Sequence, residues 1–118
     1  MSDDPISFLP LSPATLHILL SLAAGDRHGY GIMQEVARQS EGQYKLGPGT
    51  LYDNLQKLMN QGLVESAPPP SGDDDPRRRY YRLTPAGRSV LSAEIARLES
   101  VVREARLHLR IESPGGAV

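Results

Sequence analysis

The sequence predicts a mostly α-helical domain carrying one small β-hairpin, and three observations lead there. Three amphipathic segments with helix-start and helix-stop residues fill the first half of the chain. Two short alternating segments follow between residues 63 and 83, and a last segment repeats apolar residues at helical spacing from Leu91 to Leu109. At 118 residues the chain has room for one domain.

Residues 1–11 contain two Asp and two Pro without periodicity and read as an N-terminal arm. Ser12-Pro13 is a helix start, because a Ser hydroxyl can accept from a first-turn N–H and Pro at the first helical position gives up an N–H that has no partner there. Leu16, Leu19, Leu20 and Ala23 supply a buried stripe for this first helix, and Gly25 closes it. Asp26 to Gly29 reads as a connecting turn. The second helix, Tyr30 to Ser40, sets Ile32, Met33, Val36 and Ala37 on one face and Gln34, Glu35, Arg38 and Gln39 on the other. After an extended stretch from Gln43 to Leu46, Gly47-Pro48-Gly49-Thr50 opens a third helix that reaches Gln61, with Gly62 as its stop. Leu51, Leu55 and Leu58 face the core. At about 100° per residue, Gly49, Asp53, Gln56, Lys57 and Asn60 fall on the opposite, polar side.

Leu63 to Ser66 and Arg79 to Leu83 alternate like strands, and the intervening residues 67–76 are too rich in Pro and Asp for regular structure, so the pair reads as a two-stranded hairpin with a long tip. Thr84-Pro85 caps a final helix. Its apolar seam, Leu91, Ile95, Leu98, Val102, Ala105 and Leu109, is spaced 4, 3, 4, 3, 4, as a coiled coil requires. A helix of about 25 residues is about 37 Å long at ~1.5 Å per residue and overhangs a body this small. Its distal part, Leu98 to Leu109, therefore needs a partner, and a second copy of the chain is the expected one. The seam spans too few heptads for a free-standing coiled coil, so the expectation is packing partly against the other subunit's body, including its first helix. The expected divisions are an arm at 1–11, a body at 12–84, a dimerisation helix at 85–111 and a flexible tail at 112–118.

Composition closes several functional classes. The absence of Cys excludes disulfides, thiol catalysis and Cys-ligated zinc. The stretch Leu16 to Ala24, interrupted by His17 and Ser21, is too short to span a membrane. The first residues are acidic and carry no signal-peptide pattern, so the expected location is the cytoplasm. His17, His28 and His108 are scattered over three elements, so no catalytic set and no metal site is expected, and no cofactor. Asp73-Asp74-Asp75 reads as a solvated loop, since a hard-cation site needs several convergent oxygens. The Gly47–Thr50 turn lacks the Gly-Lys-Ser/Thr of a nucleotide-hydrolysing loop.

Three helices, the third with a polar outer face, then a hairpin and a long apolar-seamed helix, is the order of a winged helix-turn-helix, with the third helix for recognition and the hairpin as the wing. The net charge of −1 does not advertise a nucleic-acid partner. The charge is uneven, however: Arg77, Arg78, Arg79, Arg82 and Arg88 fall in twelve residues without an acid. Arginines on a protruding ribbon can pair with phosphates or enter a minor groove. The candidate DNA-contacting residues are Tyr30, Lys45, Pro48, Gly49, Thr50, Asp53, Gln56, Lys57, Arg77, Arg78 and Arg79, with Thr50, Asp53, Gln56 and Lys57 at the base edges. Tyr52 and Tyr81 read as packing residues. The candidate dimer interface is Ile95, Leu98, Val102, Ala105 and Leu109. A winged-helix module that uses the same polar helix to bind a protein is the alternative, favoured by the near-neutral charge and Asp53. Salt separates the two, because phosphate-driven binding weakens steeply as salt rises.

The stretches Tyr30-Gly31-Ile32, Leu46-Gly47-Pro48-Gly49-Thr50-Leu51-Tyr52 with Leu55 and Leu58, Gly62-Leu63-Val64-Glu65, and Arg78-Arg79-Tyr80-Tyr81-Arg82-Leu83-Thr84-Pro85-Ala86-Gly87 resemble the PadR family of transcriptional regulators. The resemblance covers residues 12–110. It implies a winged-helix homodimer that binds double-stranded operator DNA, usually as a repressor, with dimer contacts through the C-terminal helix. The single terminal helix is similar to the compact branch of the family. A small-molecule effector of unspecified class is a further implied partner, acting through the angle between the two winged domains. The sequence departs from the family pattern at Asp53-Asn54, where many members carry Pro and a small residue, and in a longer, more acidic wing tip.

Overall fold

The computed structural model describes residues 4–72, 75 and 77–110. Four helices, α1 (Pro13–Ala23), α2 (Gly29–Gln39), α3 (Pro48–Asn60) and α4 (Pro85–Leu109), surround a small sheet of β1 (Arg27–His28), β2 (Val64–Ala67) and β3 (Tyr80–Leu83). The helix boundaries follow the cap chemistry. Ser12 Oγ accepts from Thr15 N, His28 Nδ1 from Gly31 N and Thr84 Oγ1 from Gly87 N, with Pro in the first turn of α1, α3 and α4.

The hairpin is the centre and edge of a three-stranded antiparallel sheet, ordered β1-β3-β2. β1 lies in the segment that reads as a turn, and pairs Arg27 with Tyr81 and His28 with Tyr80. A two-residue strand cannot display alternation, so it exists only through β3. Arg27 is held there by Nε, which donates to the Ser21 carbonyl at 2.9 Å, and by Glu35 at 3.7 Å.

α1 is the central helix, packed by α2, α3, α4 and β3. Its buried residues are Ala14, Ile18, Leu19, Ser21 and Leu22, while Leu20, expected in the stripe, is exposed. Nearly every position of α1 is apolar, so periodicity alone cannot select the inward face. Ile18, Leu19, Ile32, Val36, Leu51 and Leu55 are the fully enclosed centre of the core, each aliphatic side chain contributing about 1.5–3 kcal/mol by leaving water.

The arm is structured rather than aperiodic: Pro5–Phe8 is a 3-10 turn capped by Asp4 and packed on α4. Its attachment is ionic as well as apolar. Glu94, only 1% exposed, accepts at Oε2 from Leu11 N (3.1 Å) and from Arg97 Nη2 (3.0 Å), and at Oε1 from Arg97 Nε (2.6 Å). α4 buries Gly87, Val90, Leu91 and Glu94, all in its first half. The helix ends at Leu109, with Arg110 in the left-handed region (φ 58°), and the expected tail at 112–118 lies outside the described residues.

Candidate nucleic-acid interface

The approach to α3 is built residue by residue. Ser40 Oγ donates to the Val36 carbonyl (2.8 Å) and accepts from Tyr44 N (3.0 Å), while Gly42, at φ +77°, donates its N–H to the Ala37 carbonyl (2.8 Å). Tyr44 stacks on His17 with ring centroids 5.1 Å apart. This turn buries Leu46, leaves Lys45 exposed and delivers the chain to Gly47, where α3 begins without a side-chain cap. Pro48, Gly49 and Thr50 are exposed, so the first-turn N–H groups are open to an anion.

α3 divides as its periodicity predicts. Leu51, Leu55 and Leu58 are buried, while Gly49, Thr50, Asp53, Gln56, Lys57 and Asn60 are exposed on the other side. Gln56 Nε2 donates to Asn60 Oδ1 at 3.2 Å, one helical turn away. Asn54, part of the departure from the family pattern, turns inward: its Nδ2 donates to the Thr50 carbonyl (2.8 Å) and its Oδ1 accepts from Thr15 Oγ1 of α1 (3.2 Å).

Beside this face lies a cleft of about 430 Å³ lined by His28, Gly29, Tyr30, Tyr52, Arg77, Arg78, Arg79 and Tyr81. It brings Tyr30 and the three wing arginines of the expected set together. Lys45, Thr50, Asp53, Gln56 and Lys57 lie outside it, along α3 and its lead-in. Tyr30 is 63% exposed and Tyr52 48%, so Tyr52 packs at the surface rather than inside the core. Its ring rests on Gly29, where an added β-carbon would stand 2.1 Å from Tyr52 Oη. Tyr81 is buried as expected, and burial raises its phenol above the ordinary tyrosine value, so it remains a neutral O–H at physiological pH.

The wing's charge is partly spent within the hairpin. Arg82 Nε donates to Glu65 Oε2 at 2.8 Å across the β2–β3 register, so its charge is paired within the hairpin. Asp75 accepts at Oδ1 from Arg77 N (3.0 Å) and Arg77 Nε (3.4 Å), and its Oδ2 lies 3.9 Å from Arg78 Nε. Arg79 has no ion-pair partner among the described residues.

The expected dimer residues all lie beyond the buried part of α4. Leu98 is half-buried, whereas Ile95, Val102, Ala105 and Leu109 are exposed, Val102 by 47% and Leu109 by 67%. Val101, at 52%, extends this apolar stripe, while Leu107 falls on the opposite side of the helix. Tyr52, expected to pack, also lines the cleft; Asp75, expected to be a solvated loop residue, pairs with the wing arginines; and Glu94 has no counterpart among the expected residues. Only Glu94 carried a local signal, its i,i+3 spacing to Arg97, and that spacing says nothing about burial.

A three-helix body with a polar third helix, an arginine-bearing two-stranded wing beside it and a long terminal helix define a winged-helix protein of the DNA-binding type. Among the described residues no helix is long and apolar enough to cross a membrane, and no group of His, Asp and Glu is placed to hold a metal. The chain belongs to the PadR-like family of transcriptional regulators, whose family model matches residues 18–93. It is 40% identical over 89 residues to a transcriptional regulator of Mycobacterium tuberculosis, covering 75% of this chain and 78% of that one. A solved transcriptional regulator from Clostridium thermocellum superimposes with a TM-score of 0.67 at 26% identity, over 79% of this chain and 86% of the other. A PadR family regulator from Clostridium difficile shares the fold at a TM-score of 0.69 and 22% identity, over 83% and 99%. Family and fold are thus those of transcription regulators rather than enzymes.

Proposed function

We propose that the protein is a homodimeric repressor that occupies a pseudo-palindromic operator, with the α3 of each subunit entering one of two major grooves about 34 Å apart. Thr50, Asp53, Gln56 and Lys57 contact base edges and neighbouring phosphates. Lys45, Pro48 and Gly49 meet the backbone at the helix N-terminus, and Tyr30 with Arg77, Arg78 and Arg79 grips the flanking backbone or minor groove. The observation that carries this reading is the adjacency of α3's polar face to the arginine-lined cleft, with Tyr52 belonging to both. A duplex held by α3 places its flanking strand against the wing.

The dimer follows from α4. From Ile95 onward it offers Ile95, Leu98, Val101, Val102, Ala105 and Leu109 as one apolar stripe that the subunit's own body leaves largely uncovered. Burying it against a second copy is the direct way to remove that surface from water.

Fluorescence anisotropy with duplex DNA from upstream of the protein's own coding sequence, against a scrambled competitor at 50 and 200 mM salt, tests the proposal. Sequence-selective, salt-sensitive binding that saturates at two chains per duplex is the expected result. Equal, salt-insensitive behaviour with both duplexes would sink it.

A further inference from the structure

We infer that Asp75 is an internal competitor for DNA phosphate, occupying two of the wing arginines in the free protein and setting how tightly the wing grips a duplex. The inference rests on the DNA-binding reading above and adds a residue of opposite charge to it.

The geometry that points to Asp75 is specific. One carboxylate serves two successive arginines: Oδ1 accepts from Arg77 Nε at 3.4 Å while Oδ2 faces Arg78 Nε at 3.9 Å. Both arginines line the cleft shared with Tyr30 and Tyr52. The carboxylate also meets the backbone of the same segment, Oδ1 accepting from Arg77 N at 3.0 Å. A carboxylate in this position presents to a guanidinium the same acceptor chemistry as a phosphate oxygen. A phosphate that reaches Arg77 and Arg78 must displace Asp75 or share the arginines with it, and the displaced charge stays beside the DNA backbone.

The pair is solvent-exposed, the side chain of Arg77 at 89% and that of Asp75 at 33%. Exposed ion pairs are weak, so phosphate can displace this one, and the pairing attenuates binding without abolishing it. Arg79, which has no ion-pair partner among the described residues, remains available for first contact. The wing therefore combines one arginine open to the duplex with two held in reserve, and Asp75 sets the threshold for their release.

Asp75→Asn separates charge from turn geometry, since the amide oxygen can still accept from Arg77 N while the negative charge is gone; Asp75→Glu keeps the charge. Anisotropy titrations of wild type and both variants on one upstream duplex and one random duplex, from 50 to 200 mM salt, read the effect. Asp75→Asn is expected to tighten binding to both duplexes about 3–10-fold at the lowest salt, with a log–log salt slope steeper by about one, as for one added phosphate contact. Asp75→Glu is expected to stay within about twofold of wild type. Unchanged or weakened binding by Asp75→Asn overturns the competitor role while leaving the DNA-binding reading intact. If wild type and Asp75→Asn both ignore every duplex at 50 mM salt, both readings fall. Tightening on the random duplex alone supports Asp75 and removes sequence specificity from the proposed function.

Discussion

The backbone carbonyl of Leu63 sits where a side chain on Gly87 would begin: a β-carbon there would stand 2.1 Å from the Leu63 oxygen and 2.8 Å from Leu83 Cδ1. The contact seats the first turn of α4 on the start of the hairpin. Thr84 completes the joint, its N–H donating to the same Leu63 carbonyl (3.1 Å) and its hydroxyl to the Gly62 carbonyl (2.7 Å). The base of the hairpin and the first turn of α4 are thereby fixed to one another.

Gly87→Ala is accordingly expected to destabilise by about 2–3 kcal/mol, the cost of overpacking against backbone that cannot yield. The sign is diagnostic, because Gly→Ala in a helix interior ordinarily stabilises by roughly 0.5–1 kcal/mol. Urea unfolding of the variant beside Gly49→Ala, whose β-carbon would enter open space, checks it. Equal stability of the two variants would remove the joint.

Thr84→Val retains size and branching but loses the α4 cap and the bond to Gly62, and is expected to cost about 1–2 kcal/mol. Thr84→Ser, which keeps the hydroxyl, should recover most of that. Thermal unfolding followed by far-UV circular dichroism distinguishes the two.

Glu94 ties the arm to α4, and the hydrogen bonds from Arg97, then from Leu11 N, hold its carboxyl below the ordinary glutamate value against the opposing effect of burial. A depressed folded-state pKa contributes stability that is present above the unfolded glutamate range and lost as pH falls through the folded value. The difference in Tm between wild type and Glu94→Gln should therefore be constant from pH 8 to about 5, and shrink progressively below that. A gap that widens on acidification would reverse the assignment.

Charge reversal at Arg78 and Arg79 together is expected to weaken operator binding at least about tenfold at 50 mM salt and to flatten the salt slope by one to two. Both residues are exposed, so Tm should move little. Unaltered affinity and slope would take the wing out of the interface.

Val102→Asp places a charge in the middle of the exposed α4 stripe and is expected to convert dimer to monomer in sedimentation velocity, with helical content retained. Tm of the wild type should rise with protein concentration and that of the variant should not, as mass action requires.

Much of this architecture is legible locally. Ser12-Pro13 and Thr84-Pro85 announce helix starts by cap chemistry, and Leu51, Leu55 and Leu58 orient α3 by spacing alone. Arg79 to Leu83 announces a strand by alternation. In each case the determining residues lie within a turn or a few residues of one another, where side-chain period and backbone hydrogen bonding act directly.

Local chemistry thus accounts for the order of the four helices and the two hairpin strands, the polar outer face of α3 and the apolar seam of α4. Long-range packing selects which side of the largely apolar α1 is buried, adds Arg27 and His28 as a strand and rests Tyr52 on Gly29 beside the wing. It also turned Asn54 toward Thr15 and buried Glu94 under an arm 83 residues away in the chain. These contacts join residues that no local period relates. They depend on the core, which sets the relative positions of the elements and so decides the neighbours that a buried carboxylate or a close-packed glycine meets.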